Sequence, residues 1–395
     1  VLPRDWARAA AGGCVVVGAR AAAWAPVGKL AAVVVVDEHD EVYQEERAPT
    51  WHARDVVVER ARRAGVPCVL LSPCPSLEAL SQGDVLVPPR LEERAGWPLV
   101  EVVDRRAEPP GQGLYSTRLV EAVRQADYQR PAVCVLNRKG RARLLACAAC
   151  GELARCQVCE GALETVDGRL QCRRCGGSQP VVCGACGASR VKVLRIGVAR
   201  AREELEALAG QPVAEVTGDE PAGPVPDAAV MVGTEAVLHR LTRAGVVAFL
   251  DFDQELLASR YRAGEEALAL LVRAGRLVGG RGGAASGRLL VQTRLPHHEV
   301  LDAAVHADPA RLAVVEGARR AALRLPPEAA LARISGAVAE EFVAELERQP
   351  GLEIAGPAGD RWLVRAHDHQ RLCDALAATP RPPGRLRVEV DPLRA

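Results

Sequence analysis

Residues 147–186 read CAACGELARCQVCEGALETVDGRLQCRRCGGSQPVVCGAC, four Cys-x-x-Cys pairs that hold eight of the chain's thirteen cysteines. Each such turn lets two thiolates face one ion while backbone amides point at the sulfurs, and two turns complete a tetrahedral zinc site. Eight ligands therefore predict two zincs. Five residues separate Cys150 from Cys156, whereas twelve separate Cys159 from Cys172, closer to the usual span between paired knuckles. The spacing favours a nested arrangement, with Cys147, Cys150, Cys183 and Cys186 on one ion and Cys156, Cys159, Cys172 and Cys175 on the other. Four thiolates leave no open coordination position, so these zincs are expected to be structural rather than catalytic. The ligands alone do not choose between DNA, RNA, protein and no partner. Arg155, Arg173 and Arg174 offer either phosphate contacts or a plain solvated face.

Outward from the cysteines the pattern is α/β. VVVV at 33–36, followed at once by acidic residues, reads as a buried parallel strand, and VPCVLLS at 66–72 and PAVCVL at 131–136 share its character. Residues 53–64 alternate apolar and charged positions at helical spacing and stop at Gly65. Strand, helix, strand in that order implies right-handed parallel crossovers and a doubly wound sheet.

The Pro- and Gly-rich 105–115 is expected to link two such sheets. The second resumes with a helix near 116–126, the 131–136 strand, the cysteine module, a helix near 199–208, and strands near 229–232, 246–250 and 287–293. The expected organisation is 1–104 as part of a first lobe, 116–146 as the start of a second and 147–187 as the metal module. Residues 188–295 then complete the second lobe, and 296–395 form a small α+β terminal domain with a helix near 337–348 and a strand at 386–392.

With 51 basic and 50 acidic residues in 395, no global field points to nucleic acid or to a membrane, so any basic partner surface is local. Only 3% of residues are aromatic, which argues against a broad base-stacking surface and for phosphate contacts in any nucleic-acid complex. There is no secretion signal and no 18-residue apolar run, and Cys-x-x-Cys spacing in a reducing compartment favours metal over disulfides. A cytoplasmic protein with no membrane partner is expected.

Asp37, Glu38, His39 and Asp40 end the first buried strand, where an NTPase holds a magnesium-coordinating Asp and a water-polarising Glu. Solvated acids at a strand end fit the same letters. Further polar groups follow other strands: SPCPSLEAL from Ser72, GTE at 233–235, and Asp251 with Asp253. The order VVVVDEHD, WHARD, LSPCPSLEAL, VLNRKGRARLLACAACG, the four knuckles, VGTEAV, FLDFDQELLASRYRAGEE and GRLLVQT resembles the PriA family of primosomal replication restart helicases, through nearly the whole chain.

That resemblance implies two RecA-like lobes that grip ATP and magnesium and move on single-stranded DNA, with a nested double zinc module in the second lobe. It maps Asp37 and Glu38 onto motif II as catalytic residues, Ser72 to Ser76 onto motif III, and Gly233 and Thr234 onto motif V. Gly275 and Arg276 match the first Gly-Arg of motif VI and Arg281 the second; Arg260, Arg262 and Glu265 fall in an RYRAxE-like segment. The implied partners are forked and single-stranded DNA, primosome proteins, the loader of the replicative helicase and the single-stranded DNA-binding protein.

The departures bear on the motor. Motif II has become Asp-Glu-His-Asp, motif III has lost its Ala-Thr, motif VI is shortened, and no GxxxxGK[ST] phosphate loop occurs. Two readings follow. In one, a replication restart protein binds forks and helps reload the replicative helicase with weak or no helicase activity. In the other, an active ATP-dependent 3′–5′ helicase has its phosphate loop upstream of Val1. A zinc-ribbon interaction protein unrelated to DNA is the third class.

Cys14, Cys68, Cys74, Cys134 and Cys373 sit beside apolar residues and are expected to be buried structural thiols. His297 and His298 lack a nearby cysteine or carboxylate pair and are not expected to bind metal, and Trp51 is expected in a core rather than on a base.

Overall fold

The computed structural model describes residues 5–48, 50–108, 114–137, 145–172, 175–193, 198–218, 226–283 and 286–392. The chain divides into two compact units, Val1–Leu86 with Ala313–Ala395, and Val87–Leu312.

The first unit opens with α1 (Trp6–Ala11), β1 (Val33–Val36), the short hairpin strands β2 (Gln44–Glu45) and β3 (Trp51–His52), α2 (Ala53–Ala64), β4 (Cys68–Leu71) and α3 (Leu77–Leu80). β1 and β4 pair in parallel, Val33 opposite Cys68 and Val36 opposite Leu71, joined by α2. The sequence starts and stops that helix: His52 Nδ1 accepts the Arg54 N–H at 3.2 Å, and Gly65 takes a left-handed φ of 65°. Val35 packs with Ala23, Ala53 and Val57. Trp51 is half-buried, edge-on to Trp24 at 5.4 Å, so it sits at the margin of this small core.

In the second unit come α4 (Arg90–Gly96), β5 (Leu99–Asp104), α5 (Thr117–Arg124), β6 (Ala132–Val135) and β7 (Leu145–Cys147). Next are β8 (Leu163–Val166), β9 (Arg169–Cys172), β10 (Ser178–Gln179), β11 (Val191–Val193), α6 (Val198–Ala209), β12 (Val213–Val216) and β13 (Val230–Gly233). α7 (Ala236–Arg240), β14 (Val246–Phe249), α8 (Asp253–Leu256), α9 (Ala263–Val278), β15 (Arg288–Thr293) and α10 (Glu299–His306) complete it. Six strands form one parallel sheet in the order β12-β13-β6-β14-β15-β5. β6 and β13 are buried at every position, as a central parallel strand covered on both faces requires. Leu119, Val123, Cys134, Leu205, Val230 and Leu290 lie in the core on one of those faces. The protein is thus α/β with a parallel sheet into which a cysteine module is inserted between β6 and α6.

α11 (Pro309–Leu323) leads to β16 (Ala330–Ser335), α12 (Ala339–Leu346), β17 (Leu352–Ala358), β18 (Arg361–Ala366), α13 (His369–Ala378) and β19 (Arg387–Val390). These strands form an antiparallel sheet in the order β17-β18-β16-β19, packed on Phe342, Leu346 and Leu372. The module belongs to the first unit, where Thr50 Oγ1 donates to Val390 O at 3.1 Å and accepts from Val390 N at 2.8 Å.

Two expected boundaries move. β5, assigned by sequence to the first lobe, pairs with β15 along its whole length, because its inward Val100 and Val103 complete the second sheet's edge. α10, assigned to the terminal domain, buries Val300, Leu301, Ala303 and Ala304 in the second unit and packs on α9. The link after β5 starts anchored, with Arg105 N donating to Thr293 O at 2.8 Å, and its residues 109–113 lie outside those described. Cys373 is also corrected: α13 presents it outward, while Cys74 and Cys134 are buried and Cys14 and Cys68 half-buried.

Candidate metal centres and the acidic strand end

β7 pairs with β11, closing the base of the inserted module, and β8, β9 and β10 form a small antiparallel sheet above the inner cysteines. The thiols gather in two groups, Cys147, Cys150, Cys183 and Cys186, and Cys156, Cys159, Cys172 and Cys175. Sulfurs of Cys147 and Cys186 are 3.5 Å apart and those of Cys150 and Cys183 3.6 Å. In the second group Cys156 lies 3.5 Å from Cys175, and Cys159 3.5 Å from Cys172. A tetrahedron with zinc–sulfur bonds of about 2.3 Å has edges of about 3.8 Å, so each group fits one zinc ion. Bound there, zinc would cross-link strands that share little apolar core.

All four knuckles have one backbone design. The first cysteine's carbonyl accepts an N–H four residues on: Gly151 to Cys147 at 3.0 Å, and Glu160 to Cys156, Gly176 to Cys172 and Gly187 to Cys183 at 2.9 Å. Its own N–H donates five residues on, to Glu152, Gly161, Gly177 and Ala188, at 2.8–2.9 Å. The residue after the second cysteine then adopts positive φ, 78° at Gly151, 72° at Gly176, 74° at Gly187 and 56° at Glu160. The sequence signal is therefore Cys-x-x-Cys-Gly, broken only at Glu160. Backbone N–H groups of Cys150 and Ala149 lower the Cys147 thiol to about 6. Burial raises the Cys156 thiol, but the N–H groups of Cys159 and Val158 outweigh it and leave about 7. These two shifts favour the thiolate that a metal takes, whereas their knuckle partners are raised to about 12, Cys159 chiefly by burial and Cys150, despite the Glu152 N–H that lowers it, by its contacts with Cys186 and Cys183. Of the arginines noted beside the cysteines, Arg155 lies 3.7 Å from Glu160, and Arg173 and Arg174 lie outside the described residues.

At the end of β1 the four polar residues separate into different tasks. Asp37 is half-buried at a left-handed φ of 55°, and Asp40 Oδ1 accepts the Val42 N–H at 3.0 Å to cap a 3-10 turn. His39 Nδ1 lies 2.7 Å from Ser72 Oγ. Glu38 is 1% exposed, and both of its oxygens are engaged: Oε1 accepts Ser76 N–H at 2.8 Å, while Oε2 accepts Ser76 Oγ–H at 2.8 Å and Arg54 Nη1–H at 3.2 Å. Arg54 is itself 3% exposed. The acidic tetrad and the Ser72–Ser76 turn thus meet at the end of β1. Yet Glu38 turns no oxygen to solvent, which does not fit a water-polarising role in this arrangement. Arg54 was not singled out by its letters; its signal is an arginine on the otherwise apolar face of α2.

The other expected nucleotide residues belong to the second unit. A Cβ on Gly233 would lie 1.9 Å from Val216 O, so close approach of β12 already demands glycine there. Thr234 O accepts the Val237 N–H at 3.0 Å at the start of α7. Arg276 is exposed in the last turn of α9, where a cation complements the helix end. Asn137 joins the ends of three strands: its Oδ1 accepts Glu235 N–H at 2.6 Å and its Nδ2 donates to Glu255 Oε1 at 3.0 Å, while Glu235 pairs with Arg273. Residues 138–144, the rest of the NRKG segment, lie outside the described residues.

Asp253 is buried where β14 and β15 end, accepting the hydroxyl of Thr293 and the Arg294 N–H at 3.0 Å. Burial, and then the neighbouring Asp251, raise its carboxyl to about 6. Arg260 pairs with Glu266 at 2.6 Å, and Arg262 lies over the Tyr261 ring. His298 Nδ1 caps α10 by accepting the Val300 N–H at 3.3 Å. Among the described residues, no helix is long and apolar enough to cross a membrane.

No family model matches the chain. It is similar to the replication restart protein PriA of Treponema pallidum, 30% identical in a match that covers 87% of this chain and 57% of that protein. The Bacillus subtilis protein of the same name is 29% identical over 72% of this chain and 38% of its own length. The probable replication restart protein PriA of Mycobacterium tuberculosis strain H37Rv is 30% identical over 84% of this chain and 53% of its own. The chain spans about half the length of the curated relatives it matches. With the double four-thiol module set into a parallel sheet and these similarities along most of its length, the chain belongs to the PriA family of replication restart proteins.

Proposed function

We propose that this chain acts in replication restart by binding forked or single-stranded DNA and helping to reload the replicative helicase at stalled forks, with weak or no helicase activity of its own. The observation that carries the reading is the contrast between two parts of the molecule. Both four-thiol sites are intact to their last ligand and share one backbone geometry. The acidic strand end instead uses its glutamate to hold Arg54 and Ser76. Two structural zincs keep the inserted module rigid, and its surface then serves DNA or protein contacts. Primosome proteins, the loader of the replicative helicase and the single-stranded DNA-binding protein are the partners in this reading; Asp37, Glu38, Gly233, Thr234 and Arg276 are remnants of a nucleotide site.

Titration of residues 1–395 with forked, single-stranded and duplex DNA over a range of salt tests it. Forked or single-stranded DNA should bind more tightly, with a salt slope that counts the phosphates neutralised. Equal, weak binding to all three would overturn the proposal. DNA-stimulated ATP hydrolysis should stay near background. Robust hydrolysis that Asp37→Asn abolishes would instead establish the motor reading.

A further inference from the structure

Arg320 is 1% exposed and among the largest fully buried side chains of the described residues. It lies on α11, and its Nη1 is 3.1 Å from Glu78 Oε1, a partner 242 residues earlier on α3, and 3.0 Å from Pro326 O. Glu78 is 6% exposed. One turn away on α11, a Cβ built at Gly317 would meet Leu77 at 4.0 Å, so the two helices pack against each other beside the ion pair. A buried pair of this kind tolerates little separation, because parting the charges leaves each uncompensated in a low dielectric. α3 is only four residues long and therefore moves as one piece with its cap. That cap is Ser76, whose Oγ accepts the Ala79 N–H at 3.1 Å and donates to Glu38 Oε2 at 2.8 Å. The path from α11 to the acidic strand end thus runs through Arg320, Glu78, the α3 cap and Glu38, with every link buried.

We propose that Arg320 is a positioning residue through which α11, the helix that leads into the C-terminal α+β module, sets the geometry of the Ser72–Ser76 turn and Glu38. The inference goes beyond the DNA-binding reading and needs neither nucleotide nor DNA. A shift of α11 on partner binding would be passed to Glu38; a fixed α11 holds the turn in one arrangement.

Site-resolved amide hydrogen exchange on the full chain tests this. In Arg320→Met, the Ser76 and Ala79 amides should exchange about a hundredfold faster, while amides of the β16–β18 ladder change by less than about threefold. Pairing the change with Glu78→Leu, which replaces both charges by apolar groups, should return Ser76 protection to within about threefold of the parent. Unchanged Ser76 exchange in folded Arg320→Met overturns the proposal. So does an equal loss of protection at all amides, which marks a general loss of stability. Should Arg320→Met not fold, Arg320→Lys keeps the charge but not both contacts, and the same comparison of Ser76 with the ladder decides.

Discussion

Cys147 and Cys186 stand 39 residues apart in the chain and 3.5 Å apart at their sulfurs, and between them Cys156 and Cys175 make the same approach across 19 residues. One four-thiol group is therefore nested inside the other. Its loop, with Leu145, Leu163 and Leu170 as its main apolar core, buries little beyond the cysteines. The module's order is therefore expected to depend on metal. Metal analysis should return two zincs per chain, and Cys156→Ser or Cys183→Ser should each reduce the count to about one. Chelation should abolish protection of the β8–β9 amides while the six-stranded sheet keeps its own.

Glu160 occupies a position that the other knuckles give to glycine. Glu160→Gly should stabilise the module by up to about 1 kcal/mol, since a left-handed residue with a Cβ costs about that much. Gly176→Ala has open space around its Cβ, so its loss of about 1 kcal/mol is purely conformational. Thermal unfolding of the zinc-loaded variants checks both signs.

Glu38→Gln removes the more deeply buried of the two carboxylates that face Arg54, the other being Asp55 at 3.1 Å, and should destabilise the first unit by about 1–3 kcal/mol. Replacing both members with apolar residues should recover part of that loss. Denaturant unfolding followed through Trp51 measures each variant, and a neutral effect of Glu38→Gln would remove its structural role.

Gly233→Ala would drive a methyl group into Val216 O and should cost more than about 2 kcal/mol with no nucleotide present. Equilibrium unfolding in nucleotide-free buffer checks this. A stable Gly233→Ala variant would return the glycine to a ligand-binding role.

The buried Asp253 carboxyl, raised to about 6, is protonated in the folded chain while its unfolded counterpart is already ionised, so stability falls as pH rises from about 4 to about 6. The contribution is about 1–3 kcal/mol, and Asp253→Asn should flatten that limb of the curve. His369, 2.5 Å from Asp391, is raised by that partner, and its contribution is lost as pH climbs through a value above 6.5. Half of its side chain is exposed, so the effect is small. Unfolding midpoints between pH 4 and 8 test both, and a rise in stability with pH over the lower window contradicts the Asp253 assignment.

Local patterns were legible in the letters. α2 spans Ala53–Ala64, the stretch whose spacing and Gly65 stop mark it as a helix, and β6, β14 and β15 fall on the apolar runs that precede polar residues. β1 and β4 also lie on their expected runs, but they form a two-stranded sheet with Val34, Val36, Val69 and Leu71 exposed, not the buried strands of a doubly wound sheet that those runs suggested. Spacing favoured the nested grouping that the structure shows, because the five residues between Cys150 and Cys156 fall short of the usual span between knuckles on one ion, whereas the twelve between Cys159 and Cys172 approach it. The boundary near 104 was not legible, since VEVVD reads as a strand but nothing in it names the neighbour that β15 supplies. Nor did the letters distinguish a solvated Glu38 from a buried one.

By itself, the sequence determined the α/β class, the eight thiols grouped as two candidate metal sites and the turn geometry that aims them, all of which rest on interactions within a few residues. Tertiary structure alone decided that β5 closes the second sheet, that Glu38 faces Arg54 and Ser76, and that Arg320 meets Glu78. Those outcomes depend on which distant surfaces exclude water together, and burial turns an ordinary glutamate or arginine into a partner that cannot be left unpaired.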